Sequence, residues 1–146
     1  MKLTKEILYS LIILVELAEL KEGEYMSLKK LIEGQKLPLK FMEFISSSLS
    51  RADIITSKKG LYGGYRLNKT TSEINLKTIT NAVKNISINR LPDHSTTNKA
   101  INYALDNFRY LCDIDMHIIT LDHILMIKNK IMKNEPVTSL KPLKDE

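Results

Sequence analysis

A chain of 146 residues that is 43% hydrophobic and 27% charged can bury one apolar core, and this composition excludes a disordered chain. Its single cysteine excludes an internal disulfide and fits a reducing compartment. The net charge is +5, and the segment 36–69 alone carries an excess of that size, which permits a polyanionic partner.

The N-terminal segment predicts a helix that begins after the N-cap residue Thr4 and runs to about Leu20. Its apolar residues exceed what one stripe needs, so we expect it to pack against two partners. The continuous apolar run 11–15 is too short to span a membrane, and no cleavage site of a signal peptide follows it. We therefore expect a soluble, cytoplasmic protein with no membrane partner.

Two short helices are predicted next, one from Leu28 to about Gln35 with Ser27 as its N-cap, and one from Pro38 to about Arg51. This pattern favours a helix-turn-helix in which the second helix is the recognition helix. Its apolar residues at helical spacing are Leu39, Met42, Ile45 and Leu49, with Phe41 and Phe44. Its predicted outward positions are Lys40, Glu43, Ser46, Ser47 and Ser50.

The segment 58–67 predicts a short β-hairpin with cations at its tip, in which Gly63 and Gly64 permit the reversal because they tolerate positive φ. Alternation places Tyr65 and Leu67 inward and Arg66 outward. Helix, hairpin and concentrated charge in this order favour a winged helix-turn-helix over the alternative of a solvated helix face and an ordinary surface hairpin. The residues predicted to contact DNA are Ser27, Lys29, Leu39, Lys40, Glu43, Ser47, Lys58, Lys59, Tyr62 and Arg66.

The remainder of the chain predicts a short helix at Thr78–Val83, which completes a winged domain over residues 1–84. A loop over 85–98 follows, and Thr97 or Asn98 caps a long helix. Thr120 then caps a last helix, so that 99–133 hold the long helix and a shorter one, and 134–146 form a flexible tail.

The long helix carries an apolar stripe that must be buried. Pairing with a second copy is the simplest solution and matches a palindromic operator, whereas packing back on its own domain is the alternative. The residues predicted to form the dimer contact are Ile101, Leu105, Phe108, Cys112 and Ile119. The fold class is therefore mainly α with a small β-hairpin, a winged helix-turn-helix domain plus a long C-terminal dimerisation helix.

From Lys2 to about Ile127, these residues resemble the Rrf2 family of bacterial transcription regulators. The resemblance is carried by the opening Met-Lys-Leu-Thr-Lys with Tyr9, by 27–31, by Phe41-Met42-Glu43 with Leu49 and Arg51-Ala52, by 57–60, by the wing 63–67, and by Ile119-Thr120-Leu121. It implies a dimeric repressor or activator that binds an operator in adjacent major and minor grooves.

The resemblance also implies roles for single residues. By position, Glu43 matches the acid of the recognition helix that contacts a base, and Lys59 matches the wing cation that enters the minor groove. Pro38 stands where the family commonly has a capping serine. Asp53 replaces the usual glycine after the recognition helix and can adopt the left-handed conformation at some energetic cost.

Many family members hold an iron–sulfur cluster through three cysteines near the start of the long helix. The segment 86–98 contains no cysteine, and one thiolate, that of Cys112, cannot hold a cluster. We interpret His94 as a solvated loop residue, and the spacing of His117 and His123 does not place them on one helical face. We therefore predict no cofactor and no metal, and the effector is left open as a partner protein, a small molecule or thiol chemistry.

Two alternatives stay open beside a DNA-binding regulator. One is a winged-helix module that binds protein, and the other is a redox-responsive regulator in which two copies of Cys112 form a bridge, although an apolar stripe more often carries cysteine as a core residue. No glycine-rich phosphate loop, metal-ligand cluster or Ser/His/Asp arrangement indicates an enzyme.

Overall fold

The architecture is taken from a computed structural model that describes residues 4–83, 91–110 and 118–137, with side chains throughout these ranges except at 106–110. Helices and strands follow in the order α1 Lys5–Ala18, α2 Leu28–Leu31, α3 Leu39–Arg51, β1 Ile55–Lys58, β2 Gly64–Leu67, α4 Leu76–Ala82, α5 Thr96–Tyr110 and α6 Leu121–Met132. The two strands pair antiparallel as a hairpin. The predicted class, mainly α with a small β-hairpin, is confirmed, since helices dominate and the hairpin follows the second helix of a helix-turn-helix. The dimerisation role of the long helix stays a prediction.

Helix α1 forms the centre of the core. Thr4 is its N-cap, as predicted, because the Thr4 hydroxyl accepts a hydrogen bond from the Ile7 N–H at 3.2 Å. Residues 11–15 are all buried, and the helix packs against α3, α4, α5, α6 and β2. A helix that is apolar on most of its circumference needs neighbours on several sides. The expectation of two partners was therefore too low, because five elements contact α1.

The boundaries of the helix-turn-helix are set by local chemistry. Ser27 caps α2 through the N–H of Lys30, as predicted, but the α-helix ends at Leu31 rather than near Gln35. Gly34 takes φ +77° in the following turn. Pro38 occupies the N-cap position of α3 rather than its first turn, and it supplies no side-chain cap.

Two later helices begin earlier than predicted because polar side chains cap them. Asn75 caps α4 through the N–H of Thr78 at 3.0 Å, so this helix begins at Leu76 instead of Thr78. The Ser95 hydroxyl accepts from the N–H of Asn98 at 3.0 Å, so α5 begins at Thr96. The predicted caps Thr97 and Asn98 are therefore inside the helix, and the part of the predicted loop at 85–90 lies outside the described residues.

Three residues predicted for the dimer contact belong instead to the core of one chain. The side chains of Ile101, Leu105 and Ile119 are at most 4% exposed, so a second copy could bury almost nothing more of them. Ile119 is not part of the long helix. It lies in an extended segment whose carbonyl accepts from the Leu76 N–H at 3.1 Å. Within α5, packing back on the same chain is thus the observed solution for Ile101 and Leu105, while the side chain of Phe108 and all of Cys112 lie outside the described residues.

A buried polar contact joins the three helices of this core. The Lys128 ammonium of α6 lies 2.7 Å from a Glu19 carboxylate oxygen and 3.9 Å from Glu16. The Thr97 hydroxyl of α5 donates to the same Glu16 oxygen at 2.8 Å. Because Lys128 is buried, these carboxylates compensate for the loss of its hydration, and they fix α5 and α6 against the end of α1.

The beginning of the predicted C-terminal tail is held against α5. The Tyr103 hydroxyl donates a hydrogen bond to the Val137 carbonyl at 2.5 Å, and Val137 packs on the core. Residues 138–146 of the predicted tail lie outside the described residues.

Candidate nucleic-acid interface

One face of α3 is exposed along its whole length. Met42, Ile45 and Leu49 are fully buried beneath it. The exposed residues of α3 are Leu39, Lys40, Glu43, Phe44, Ser47 and Arg51. This face includes all four residues of α3 that were predicted to contact DNA.

Two details of α3 differ from the sequence prediction. Ser46, expected outward, is fully buried, and its hydroxyl lacks a hydrogen-bond partner. Phe44, counted with the apolar residues of the helix, is 55% exposed. The signal that could have identified Phe44 is its position two residues after Met42, about 200° around the helix and hence far from the buried face.

Aromatic packing fixes the rotation of α3 about its axis. The Phe41 ring meets the Tyr9 ring of α1 edge to face, with centroids 5.5 Å apart. Phe44 lies against Phe41 in a stacked arrangement at 6.4 Å. The exposed face of α3 therefore has a defined direction relative to α1.

Asp53 connects the end of α3 to the hairpin with a left-handed residue at φ +60°, which confirms the expectation for this position. Its carboxylate accepts from the Asn68 side-chain amide at 2.8 Å, and the same amide reaches the Asp53 carbonyl at 3.4 Å. Asn68 lies just after β2, so this contact closes the base of the hairpin. The hydrogen bonds offset part of the cost of the left-handed conformation.

The hairpin, which we call the wing (residues 55–67), ends in a tight turn. Register pairs Ile55 with Leu67 and Lys58 with Gly64. The N–H of Gly63 donates to the Gly60 carbonyl at 3.0 Å, which closes the four-residue turn 60–63. Within the wing, the residues with positive φ are Gly60 (+109°) and Gly64 (+140°). The expectation of positive φ is therefore right for Gly64 and wrong for Gly63. Gly63 is required for space, because a β-carbon there would lie 2.1 Å from the Lys58 carbonyl oxygen.

The base of the wing is joined to the start of the helix-turn-helix. Met26 and Tyr65 exchange two backbone hydrogen bonds of 3.0 and 2.8 Å. A β-carbon on Gly64 would lie 2.3 Å from the Met26 backbone, so only glycine permits this approach. The wing and the cap of α2 at Ser27 are therefore fixed relative to each other.

Two cations, one from each strand of the wing, lie over one tyrosine ring. The guanidinium of Arg66 lies 5.1 Å and the ammonium of Lys58 5.6 Å from the centre of the Tyr25 ring. Arg66 is half-buried, and its Nε atom has no hydrogen-bond partner, so the prediction of a simply outward side chain needs correction. Tyr65 and Leu67 are also half-buried rather than fully inward.

A groove of about 490 Å³ runs between the wing and the start of α2. Its walls bring together Ser27, Lys30, Lys58 and Tyr62, three of which were predicted to contact DNA. Lys29 lines a neighbouring recess with Ser27 and Lys30. Lys30 was not among the predicted contacts, although its place in the first turn after Ser27 was visible in the sequence.

The wing carries an excess of positive charge. Between Asp53 and Glu73 the sequence contains four Lys or Arg residues and no acidic one. Glu73 marks the end of this region, where hydrogen bonds from the hydroxyl and the N–H of Thr70 lower the pKa of its carboxyl group. The arrangement can bind phosphate groups through the wing and α2 while the exposed face of α3 enters a groove.

Comparison with known proteins also indicates a DNA-binding regulator. The family model Rrf2, described as an iron-dependent transcriptional regulator, matches residues 3–124. A relative in Synechocystis sp., slr0846, whose name provisionally assigns it to the HTH-type transcriptional regulators, is 33% identical over 84 residues. That match covers 58% of this chain and 57% of the relative, so it spans little more than half of that protein.

Solved structures share the fold. CymR, the global cysteine regulator of B. subtilis, superposes with a TM-score of 0.61 at 22% identity over 86% of this chain and 97% of CymR. T. potens IscR superposes with a TM-score of 0.60 at 21% identity over 94% of each chain. Oxidised CymR of Staphylococcus aureus gives a TM-score of 0.59 at 25% identity, covering 86% of this chain and 96% of that one.

The iron named in the family description does not fit the donors of this chain. The whole sequence supplies one cysteine, whereas iron–sulfur clusters are held by several thiolates. Within 4–83, 91–110 and 118–137, no group of three or more His, Cys, Asp or Glu residues is placed to hold a metal ion. In the same ranges, no helix is long and apolar enough to cross a membrane.

The family and the solved neighbours are transcriptional regulators rather than enzymes, which confirms the prediction of a protein without catalytic activity. The match over most of the chain, the winged helix-turn-helix and the cationic wing lead to one conclusion. This chain belongs to the Rrf2 family of DNA-binding transcriptional regulators.

Proposed function

We propose that the protein is a homodimeric cytoplasmic repressor that binds a palindromic operator. The observation that carries the proposal is the groove in which the start of α2 and the wing meet, because it sets two cationic elements at a fixed distance beside the exposed face of α3. A helix in the major groove flanked by a wing on the backbone needs this arrangement.

Each element takes a separate part of the contact. Glu43 accepts from a base edge, preferably the cytosine amino group, and the exposed Leu39 and Phe44 meet thymine methyl groups. The DNA backbone is bound by Ser27, Lys29, Lys40, Ser47 and Lys58. Arg66, which lies over the same Tyr25 ring as Lys58, contacts the DNA backbone beside Lys58. Lys59 at the tip of the wing enters the minor groove, as the family resemblance implies.

The second copy is proposed to cover apolar surface at the C-terminal side of the described chain. Met126 and Met132 on α6 and Ile118 before it are exposed. Because Ile101, Leu105 and Ile119 are core residues, Phe108 and Cys112 are the predicted dimer contacts that remain in the proposal. Two copies related by a twofold axis would read two half-sites about one helical turn apart.

Lys59→Gln tests the cationic wing. We expect weaker binding to DNA from upstream of the protein's own gene and a salt slope that is smaller by about 1, because one fewer phosphate is neutralised. Fluorescence anisotropy at several salt concentrations, against a scrambled duplex, measures both quantities.

The matched control is Lys133→Gln, which removes the same charge from an exposed position after α6. Its affinity and salt slope should equal those of the unaltered protein. An unaltered slope for Lys59→Gln, or equally feeble binding of the unaltered protein to both duplexes, would contradict the proposed role and favour a wing that serves a protein partner.

The oligomeric state and the direction of regulation need their own measurements. Light scattering of the complex with a full operator should give two chains per duplex, and a half-site should bind more weakly. A reporter downstream of the operator should be less active when the protein is present. One chain per operator would contradict the dimer, and a more active reporter would contradict repression.

A further inference from the structure

The tip of the wing carries two large side chains in water. Leu61 is 91% exposed and Tyr62 is 84% exposed, more than any other large hydrophobic residue among the described ones. A leucine and a tyrosine side by side at the apex of a hairpin contribute little to folding when their side chains are almost wholly exposed. Their placement is explained by a binding partner with an apolar interior.

The tip is narrow enough to enter a thin cleft. Gly60 and Gly63 flank the pair and close the turn through the 3.0 Å hydrogen bond between them. Leu61 and Tyr62 are consequently the two central residues of the turn and its only side chains. The minor groove of B-DNA is about 6 Å wide, which suits a tip of this kind.

The base of the wing is rigid, so the tip is presented in one direction. The two backbone hydrogen bonds between Met26 and Tyr65 hold β2 against the start of α2. Tyr25 holds Lys58 and Arg66 from the two strands against its ring. Little conformational entropy is therefore lost when the tip enters a partner.

The charge around the tip identifies the partner. Lys58 and Lys59 precede Leu61 with only Gly60 between them, and the nearest acidic residues in sequence are Asp53 and Glu73. In the folded chain Glu24 lines the same groove as Leu61 and Tyr62, together with the cations Lys30 and Lys58. An apolar pair with an excess of cations beside it is complementary to stacked bases between two phosphate backbones.

Resting on the proposed operator binding, we propose that Leu61 and Tyr62 form an apolar wedge that enters the minor groove and opens a base step. Partial unstacking at this step kinks the duplex toward the major groove. The operator then carries a flexible pyrimidine–purine step, such as TA or CA, beneath each wing, because those steps unstack at the lowest cost. This adds sequence preference at base pairs that no hydrogen bond reads.

The test compares the unaltered protein with the double variant Leu61→Ser, Tyr62→Ser. The probe is a duplex selected from a random library by the unaltered full-length chain and labelled at both ends for energy transfer. We expect the unaltered protein to shorten the end-to-end distance and the double variant to leave the duplex straight while binding about tenfold more weakly. The salt slope should not change, because no cation is removed.

Asn81→Ser is the matched control, since it alters an exposed side chain of α4 that belongs neither to the proposed DNA contact nor to the proposed surface for the second copy. It should bend and bind the duplex like the unaltered protein. A double variant that still bends the duplex with full affinity overturns the wedge, as does an unaltered protein that binds tightly without bending. Failure of the unaltered protein to select any duplex overturns operator binding itself, and the wedge with it.

Discussion

Single residues decide how the wing is attached to the recognition helix. Asp53 adopts φ +60° where the family resemblance leads one to expect glycine, and its carboxylate is bound to the Asn68 amide at 2.8 Å. Without this hydrogen bond an aspartate would only add steric cost at a left-handed position. The Asp53–Asn68 hydrogen bond therefore stabilises a left-handed conformation that glycine would adopt without it.

Asp53→Ala should lower the free energy of unfolding by about 1 kcal/mol, because it removes the hydrogen bond and keeps a β-carbon at positive φ. Asp53→Gly should be close to neutral, since it loses the same hydrogen bond but relieves the conformational cost. Urea denaturation of the two variants measures the difference. Equal stabilities for the alanine and glycine variants would show that the left-handed conformation is not what limits this position.

At the scale of elements, the short helix α2 combines a structural role with a proposed role in binding DNA. Ser27 caps α2, lies in the groove beside the wing, and follows Met26, which pairs with Tyr65. A four-residue helix has few intrahelical hydrogen bonds, so its cap and its attachment to the wing account for much of its order.

Ser27→Asp separates the two roles, because aspartate is as good an N-cap as serine but repels a phosphate. We expect unchanged thermal stability and at least tenfold weaker DNA binding. Ser27→Ala is the complementary control and should lose about 0.5–1 kcal/mol of stability with a smaller effect on affinity. If Ser27→Asp bound the operator as well as the unaltered protein, Ser27 would not lie at the interface.

At the scale of the whole molecule, α5 and α6 share one core with α1 instead of projecting from it. Ile101 and Leu105 are buried among residues of the same chain, and Lys128 is paired with Glu19 at the end of α1. A change in how α5 and α6 pack would therefore alter their contacts with α1. Because Tyr9 of α1 packs on Phe41, it would also alter the position of α3.

Leu105→Ala should destabilise each chain by about 3 kcal/mol, because it leaves a cavity in a core that a second copy cannot fill. The loss should be the same at low and high protein concentration in urea unfolding. Lys77→Ala, at an exposed position of α4, should cost far less. A Leu105→Ala loss that grows with protein concentration would instead assign Leu105 to an interface between copies.

Much of this protein is determined by local sequence. Thr4, Ser27 and Thr120 mark helix starts because their hydroxyls precede apolar periodicity, and the cations of 58–66 mark the wing. Periodicity also predicted the buried residues Met42, Ile45 and Leu49 of α3, although it missed Ser46. Asp53 could be placed in the left-handed region from the resemblance. These features depend on neighbours within a few residues, which a sequence displays directly.

Other features were decided by tertiary structure. An apolar stripe indicates that another surface must bury one face of the helix. The sequence of Ile101 and Leu105 does not show whether that surface is α1 of the same chain or a second copy. The same holds for Gly63 and Gly64, whose need for space arises from the Lys58 carbonyl and the Met26 backbone. Which surface covers which depends on contacts between residues far apart in sequence, so only the folded chain resolves those choices.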